Sequence, residues 1–93
     1  MDIKEAVNNV FMIQGVDYPE MSVTDIALEL VYKYEEFKNS NADELKNQVS
    51  RYLANDTKKR ILFTNVLKME EVVTKKVITN FVSLRKNASP NLQ

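Results

Sequence analysis

The sequence predicts one mainly helical domain: three short helices around a single core, closed by a C-terminal segment that is either a two-stranded ribbon or one long helix. The first outcome is an α+β protein and the second an all-α bundle. Three observations predict this. The 93 residues suffice for one core and not for two. Apolar residues recur at helical spacing in three successive stretches up to about residue 56. Residues 61–67 and 77–84 are dense in β-branched and aromatic side chains, yet no glycine or proline interrupts residues 58–88.

In the first stretch, Ile3, Val7, Val10 and Phe11 lie on one face, and Gly15, the only glycine, follows where a helix end favours a left-handed residue. A helix over residues 2–14 is expected. Residues 16–21, with Asp17 and Pro19, read as a loop. Ser22 and Asp25 then form a capping-box pattern, with Met21 placed to staple against Ile26. From there Ile26, Ala27, Leu30, Val31, Tyr34 and Phe37 make a broad apolar face, ended by Asn39-Ser40-Asn41. Asn41 and Glu44 repeat the cap before the third helix.

The third helix organises the rest. Leu45, Val49, Tyr52 and Leu53 form its apolar stripe, and its far side carries Asn47, Ser50, Arg51 and Asn55, with Lys46 at the edge. These are hydrogen-bonding groups and one guanidinium, which suit a base edge, a phosphate or plain water. Asn55-Asp56-Thr57 reads as a break, and Lys58, Lys59 and Arg60 follow it as three consecutive cations.

Between Lys68 and Lys76 the signals conflict. Val66, Met69, Val73, Val77, Phe81 and Leu84 fall on one side of a continuous helix, whereas the flanking β-rich blocks fit a ribbon with the charged segment as its distal loop. A tight turn there lacks the usual glycine, so the ribbon reading calls for a longer loop.

Composition narrows the function. With no cysteine or histidine there is no thiolate chemistry, no imidazole base and no zinc-thiolate site. Glu35-Glu36 and Glu70-Glu71 are sequence neighbours, so neither pair can flank a substrate. Asp43-Glu44 suits a helix start. No nucleotide-binding loop or metal-ligand spacing occurs, so neither cofactor nor catalysis is expected. No apolar run reaches membrane-spanning length, and a cytoplasmic or nucleoid-associated protein is expected. The formal charge of zero hides a division. Residues 1–56 hold five cations against eleven acids, and residues 57–93 hold eight against two. The basic part could meet a polyanion, or the halves could neutralise each other.

In order and spacing these features resemble the HARE-type helix-turn-helix family. The matching residues are Ile3-Lys4-Glu5-Ala6-Val7, Val23-Thr24-Asp25-Ile26-Ala27 and above all Val49 to Arg60 followed by Leu62-Phe63-Thr64-Asn65-Val66. Those domains are winged helices, found in restriction endonucleases and chromatin proteins, with a similar domain in the delta subunit of bacterial RNA polymerase. The family's first strand carries Phe-x-x-Val, matched by Phe63 and Val66; its second ends in aromatic-x-x-Leu, matched by Phe81 and Leu84. Lys68 to Lys76 replaces the glycine-bearing hairpin tip. The resemblance implies a winged helix over residues 1–86 with a tail over 87–93, and double-stranded DNA as partner. Lys46, Asn47, Ser50, Arg51 and Asn55 would face the groove, Lys58, Lys59 and Arg60 one backbone, and Lys75 and Lys76 at the wing tip a neighbouring phosphate or the minor groove. A small regulator of transcription or a phage protein fits this description. The alternative is an adaptor whose acidic helices (Asp2, Glu5, Glu29, Glu35, Glu36) dock a host protein complex such as the transcription machinery. Self-association through a ribbon edge or a Val72-Val73 patch is the third expectation.

Overall fold

A computed structural model describes residues 1–13 and 20–85. Its elements are α1 (Ile3–Ile13), β1 (Met21–Ser22), α2 (Val23–Lys33), a 3-10 turn (Glu35–Phe37), α3 (Ala42–Lys59), β2 (Phe63–Val72) and β3 (Lys75–Leu84). Three helices thus pack against a three-stranded antiparallel sheet of order β1-β3-β2, an α+β architecture. The long C-terminal helix is not formed. With no glycine or proline to decide, β-branched and aromatic residues at alternate positions favour the extended chain. The expected Gly15 helix end, the Asp17-Pro19 loop and the 87–93 tail lie outside the described residues.

Side-chain caps set the helix starts. Asp2 Oδ1 accepts from the Glu5 amide at 2.8 Å, Ser22 Oγ from Asp25 at 3.1 Å, and Asn41 Oδ1 from Glu44 at 3.1 Å. Each satisfies an amide that the first helical turn leaves without a partner. The core is shared by Val7, Val10 and Phe11 of α1, Ile26 and Leu30 of α2, Leu45, Val49 and Leu53 of α3, and Leu62, Phe63 and Val82 beside them. Phe63 sits at its centre, with ring centroids 4.9 Å from Phe11 and 6.2 Å from Tyr52, the latter edge-on.

Four expectations are corrected. Helix α2 stops at Lys33 rather than running to Phe37; Tyr34 is extended, and the 3-10 turn brings the Phe37 ring edge-on to Tyr34 at 6.4 Å. Both rings pack against the core. Met21, expected in a loop, pairs with Val82 as part of β1. Asn55-Asp56-Thr57 does not break α3, which runs for 18 residues to Lys59. Asp56 continues the inner stripe one turn beyond Leu53, and its buried Oδ1 accepts from the Leu62 and Phe63 amides at 2.9 and 2.8 Å. It therefore joins the helix end to the first strand. Arg60 closes α3 in the left-handed region, its amide donating to the Asp56 and Thr57 carbonyls.

The fourth correction concerns the ribbon tip. The charged segment is not a loop: β2 and β3 pair from Phe63↔Leu84 out to Val72↔Lys75, and only Val73 and Thr74 turn the chain. Glu71 faces Lys76 and Met69 faces Ile78 across the strands, pairings that favour continued strand. Val73 takes the positive φ (59°) that glycine usually provides in a two-residue turn. The two family-like motifs are each other's partners, Phe63 with Leu84 and Val66 with Phe81.

A candidate nucleic-acid interface between helix and ribbon

Alternation along β2 and β3 divides the ribbon into two faces. Phe63, Asn65, Leu67, Met69 and Glu71 share the inner face with Leu84, Val82, Asn80, Ile78 and Lys76. Val66, Lys68, Phe81, Val77 and Lys75 lie on the outer face. Near the base, the inner face meets one flank of α3. Ser50, Leu53, Ala54, Thr57 and Lys58 of α3, Val23 of α2, and Asn65, Asn80 and Val82 of the sheet line a groove of about 340 Å³. Asn80 Nδ2 donates to Asn65 Oδ1 at 3.3 Å, fixing the two amides side by side on the groove floor.

Of the ten residues singled out in the sequence, Ser50 and Lys58 come together in this groove. Asn47 and Arg51 are exposed on the adjoining outer face of α3, which the helical step of about 100° places between the groove flank and the far side. Lys46 is half-buried at the edge, as its position predicts. Lys59 and Arg60 are exposed where α3 ends. Asn55 does not join this group: it lines a separate recess on the α1 side with Lys4, Tyr52, Asp56, Ile61 and Leu62. Lys75 and Lys76 are both exposed at the ribbon tip but on opposite faces, so only Lys76 shares the face that turns toward α3.

Asn65 and Asn80 were missed. Their signal was in the alternation, since each is a polar residue in a row otherwise filled by Phe63 and Leu67 or by Val82 and Ile78. That signal became readable only with the register known.

Electrostatics at the site are those of exposed cations. Lys58 and Lys59 lie in the last turn of α3, and Asp43 and Glu44 in its first, an arrangement that also complements the helix dipole. Lys68 is engaged elsewhere: it pairs with Glu20 and lies 5.0 Å over the Phe81 ring on the outer face. Behind α3, the Tyr52 hydroxyl donates to Asn8 Oδ1 at 2.7 Å. Burial, reinforced by the nearby Asp56 charge and opposed by the Asn8 hydrogen bond, pushes the Tyr52 phenol up to about 12. This contact holds α3 to α1 and so sets the pose of the groove.

Among the described residues no helix is long and apolar enough to cross a membrane. Comparison with protein-family models, with characterised proteins and with solved structures gives no match to this chain.

Proposed function

We propose that the protein is a non-enzymatic, double-stranded DNA-binding module of winged-helix type, with α3 as the recognition helix and the β2–β3 ribbon as the wing. One observation carries the reading: the outer flank of α3 and the inner face of the ribbon converge on a polar groove, with cations at its rim and Asn47 and Arg51 beside it. Asparagine amides and a guanidinium are the side chains that pair with adenine and guanine edges, and lysines are the phosphate partners. Arg51 and Asn47 approach bases, Ser50, Asn65 and Asn80 line the groove floor and flank, and Lys58, Lys59 and Arg60 neutralise the adjoining backbone. In this role the protein acts as a small regulator of a genome, its own or a host's.

The test is a mobility-shift assay at low salt with mixed-sequence duplex DNA. Lys58→Glu with Lys59→Glu is expected to weaken binding at least tenfold, and Arg51→Ala to weaken it about tenfold, the worth of one good base contact. Unchanged affinity in both variants refutes the proposal.

A second reading, a protein adaptor, draws on a different surface. Tyr32 is 83% and Leu28 48% exposed on α2, beside Asp25 and Glu29, which suits a basic partner with apolar side chains. Partners retained from a lysate after nuclease treatment, and lost in Tyr32→Ala, would favour it over DNA.

A further inference from the structure

We propose that the free edge of β2 pairs with β2 of a second copy of this chain, antiparallel about a two-fold axis near Met69, so that two ribbons merge into one sheet. Among the described residues the order is β1-β3-β2, which makes β2 an edge strand for all ten of its residues. Such an edge presents unpaired amides and carbonyls, and proteins usually blunt it with proline, a bulge, a covering segment or outward lysines. Here the ladder runs without a bulge from Phe63 to Val72, and no proline interrupts it. Lys68 is drawn over the outer face to Glu20 and Phe81.

Among the described residues, nothing covers the distal part of the ribbon's inner face. Beyond the groove, Leu67, Met69 and Ile78 are 70%, 64% and 65% exposed and adjoin one another across the strands. A two-stranded ribbon on its own is marginally stable in water and gains from a further strand. The antiparallel edge names the occupant, because under a two-fold axis its hydrogen-bonding pattern is its own complement. A two-fold perpendicular to the sheet keeps each face on its own side. Centred on Met69, in the middle of the exposed Leu67, Met69 and Ile78 cluster, it sets Met69 against its counterpart. The two Leu67, Met69 and Ile78 clusters then form one continuous apolar strip.

The same axis leaves both α3 helices on one side of the joined sheet. Asn65 falls eight positions from its counterpart, roughly 27 Å along the strands. That sets two α3 grooves on one face for a single duplex, at a separation shorter than the roughly 34 Å of one B-DNA turn. The pairing itself does not depend on the DNA reading; only this consequence does.

The chain has no cysteine, so Met69→Cys introduces a single thiol, which would face its counterpart within disulfide reach. Mild oxidation with an added disulfide reagent is expected to give a covalent dimer with Met69→Cys and none with Tyr32→Cys, on exposed α2. Sedimentation of the unmodified chain at tens of micromolar should give twice 10.8 kDa, falling to the monomer mass in a Leu67→Lys, Ile78→Lys variant with unchanged helical circular dichroism. A strict monomer up to about 100 micromolar, equal cross-linking at both thiols, or a dimer that Met69→Cys fails to trap overturns the proposal. A monomer that binds DNA overturns it while leaving the DNA reading intact. A trapped dimer without affinity for DNA supports it and counts against that reading.

Discussion

Asp56 carries a part of the fold out of proportion to its size. Its buried carboxylate is the acceptor for two amides that begin the first long strand. Asp56→Ala would leave two buried donors without a partner and is expected to destabilise the protein by about 2–4 kcal/mol, measured by urea denaturation. Asp56→Asn keeps an acceptor oxygen and should lose less than half of that. Tyr52 offers a second check. A phenol held near 12 when folded and near 10 when unfolded contributes stability that is complete below about pH 10 and is lost as pH rises from 10 to 12. Because the ring is only half-buried, the loss is discounted to about 1 kcal/mol. Tyr52→Phe, which cannot ionise, should show a smaller alkaline fall in Tm over that window; an identical fall in both proteins would place the sensitivity elsewhere. Neither role was legible in the sequence. Asp56 read as part of a break because Asn55, Asp56 and Thr57 are three weak helix formers in a row, and only the chain's return through Leu62 and Phe63 gives Asp56 two donors.

At the scale of elements, what the sequence revealed depended on how local the cause was. The Ser22 and Asn41 caps and the α3 stripe follow from residues within a few positions of each other and stand as read, whereas the same local signals left the Phe63 and Phe81 segments open between a ribbon and one long helix. The end of α2, the β1 pairing and the tight ribbon turn depend on distant contacts and were not legible. The tip shows this most clearly. Val73 occupies a positive φ that a β-branched residue resists, with its side chain 90% exposed, so substitution by glycine removes strain and loses almost no packing. Val73→Gly is expected to stabilise the protein by about 1 kcal/mol, raising Tm by roughly 4–8 °C for a domain of this size. A lower Tm would mean that the ribbon is held by contacts of Val73 rather than by its ladder. The groove was half legible: Ser50 and Lys58 came from the helix pattern, whereas Asn65 and Asn80 needed the register.

For the whole molecule the charge division has a physical layout. The C-terminal end of α3 and the ribbon tip carry the exposed cations, α2 and the start of α3 carry acids, and Lys68 is neutralised midway along the ribbon by Glu20. A dipolar molecule of zero net charge has little long-range attraction for DNA, so binding must come from contacts at one face and should be weak, local and salt-sensitive. The most direct test is fluorescence anisotropy of a labelled duplex titrated with the unmodified chain between 50 and 200 mM salt. Displacement of about three phosphate counterions by Lys58, Lys59 and Arg60 predicts a slope of log affinity on log salt of about −2.7, roughly a fortyfold loss across that range. No binding at 50 mM, or an affinity indifferent to salt, would contradict the assignment of this face to DNA.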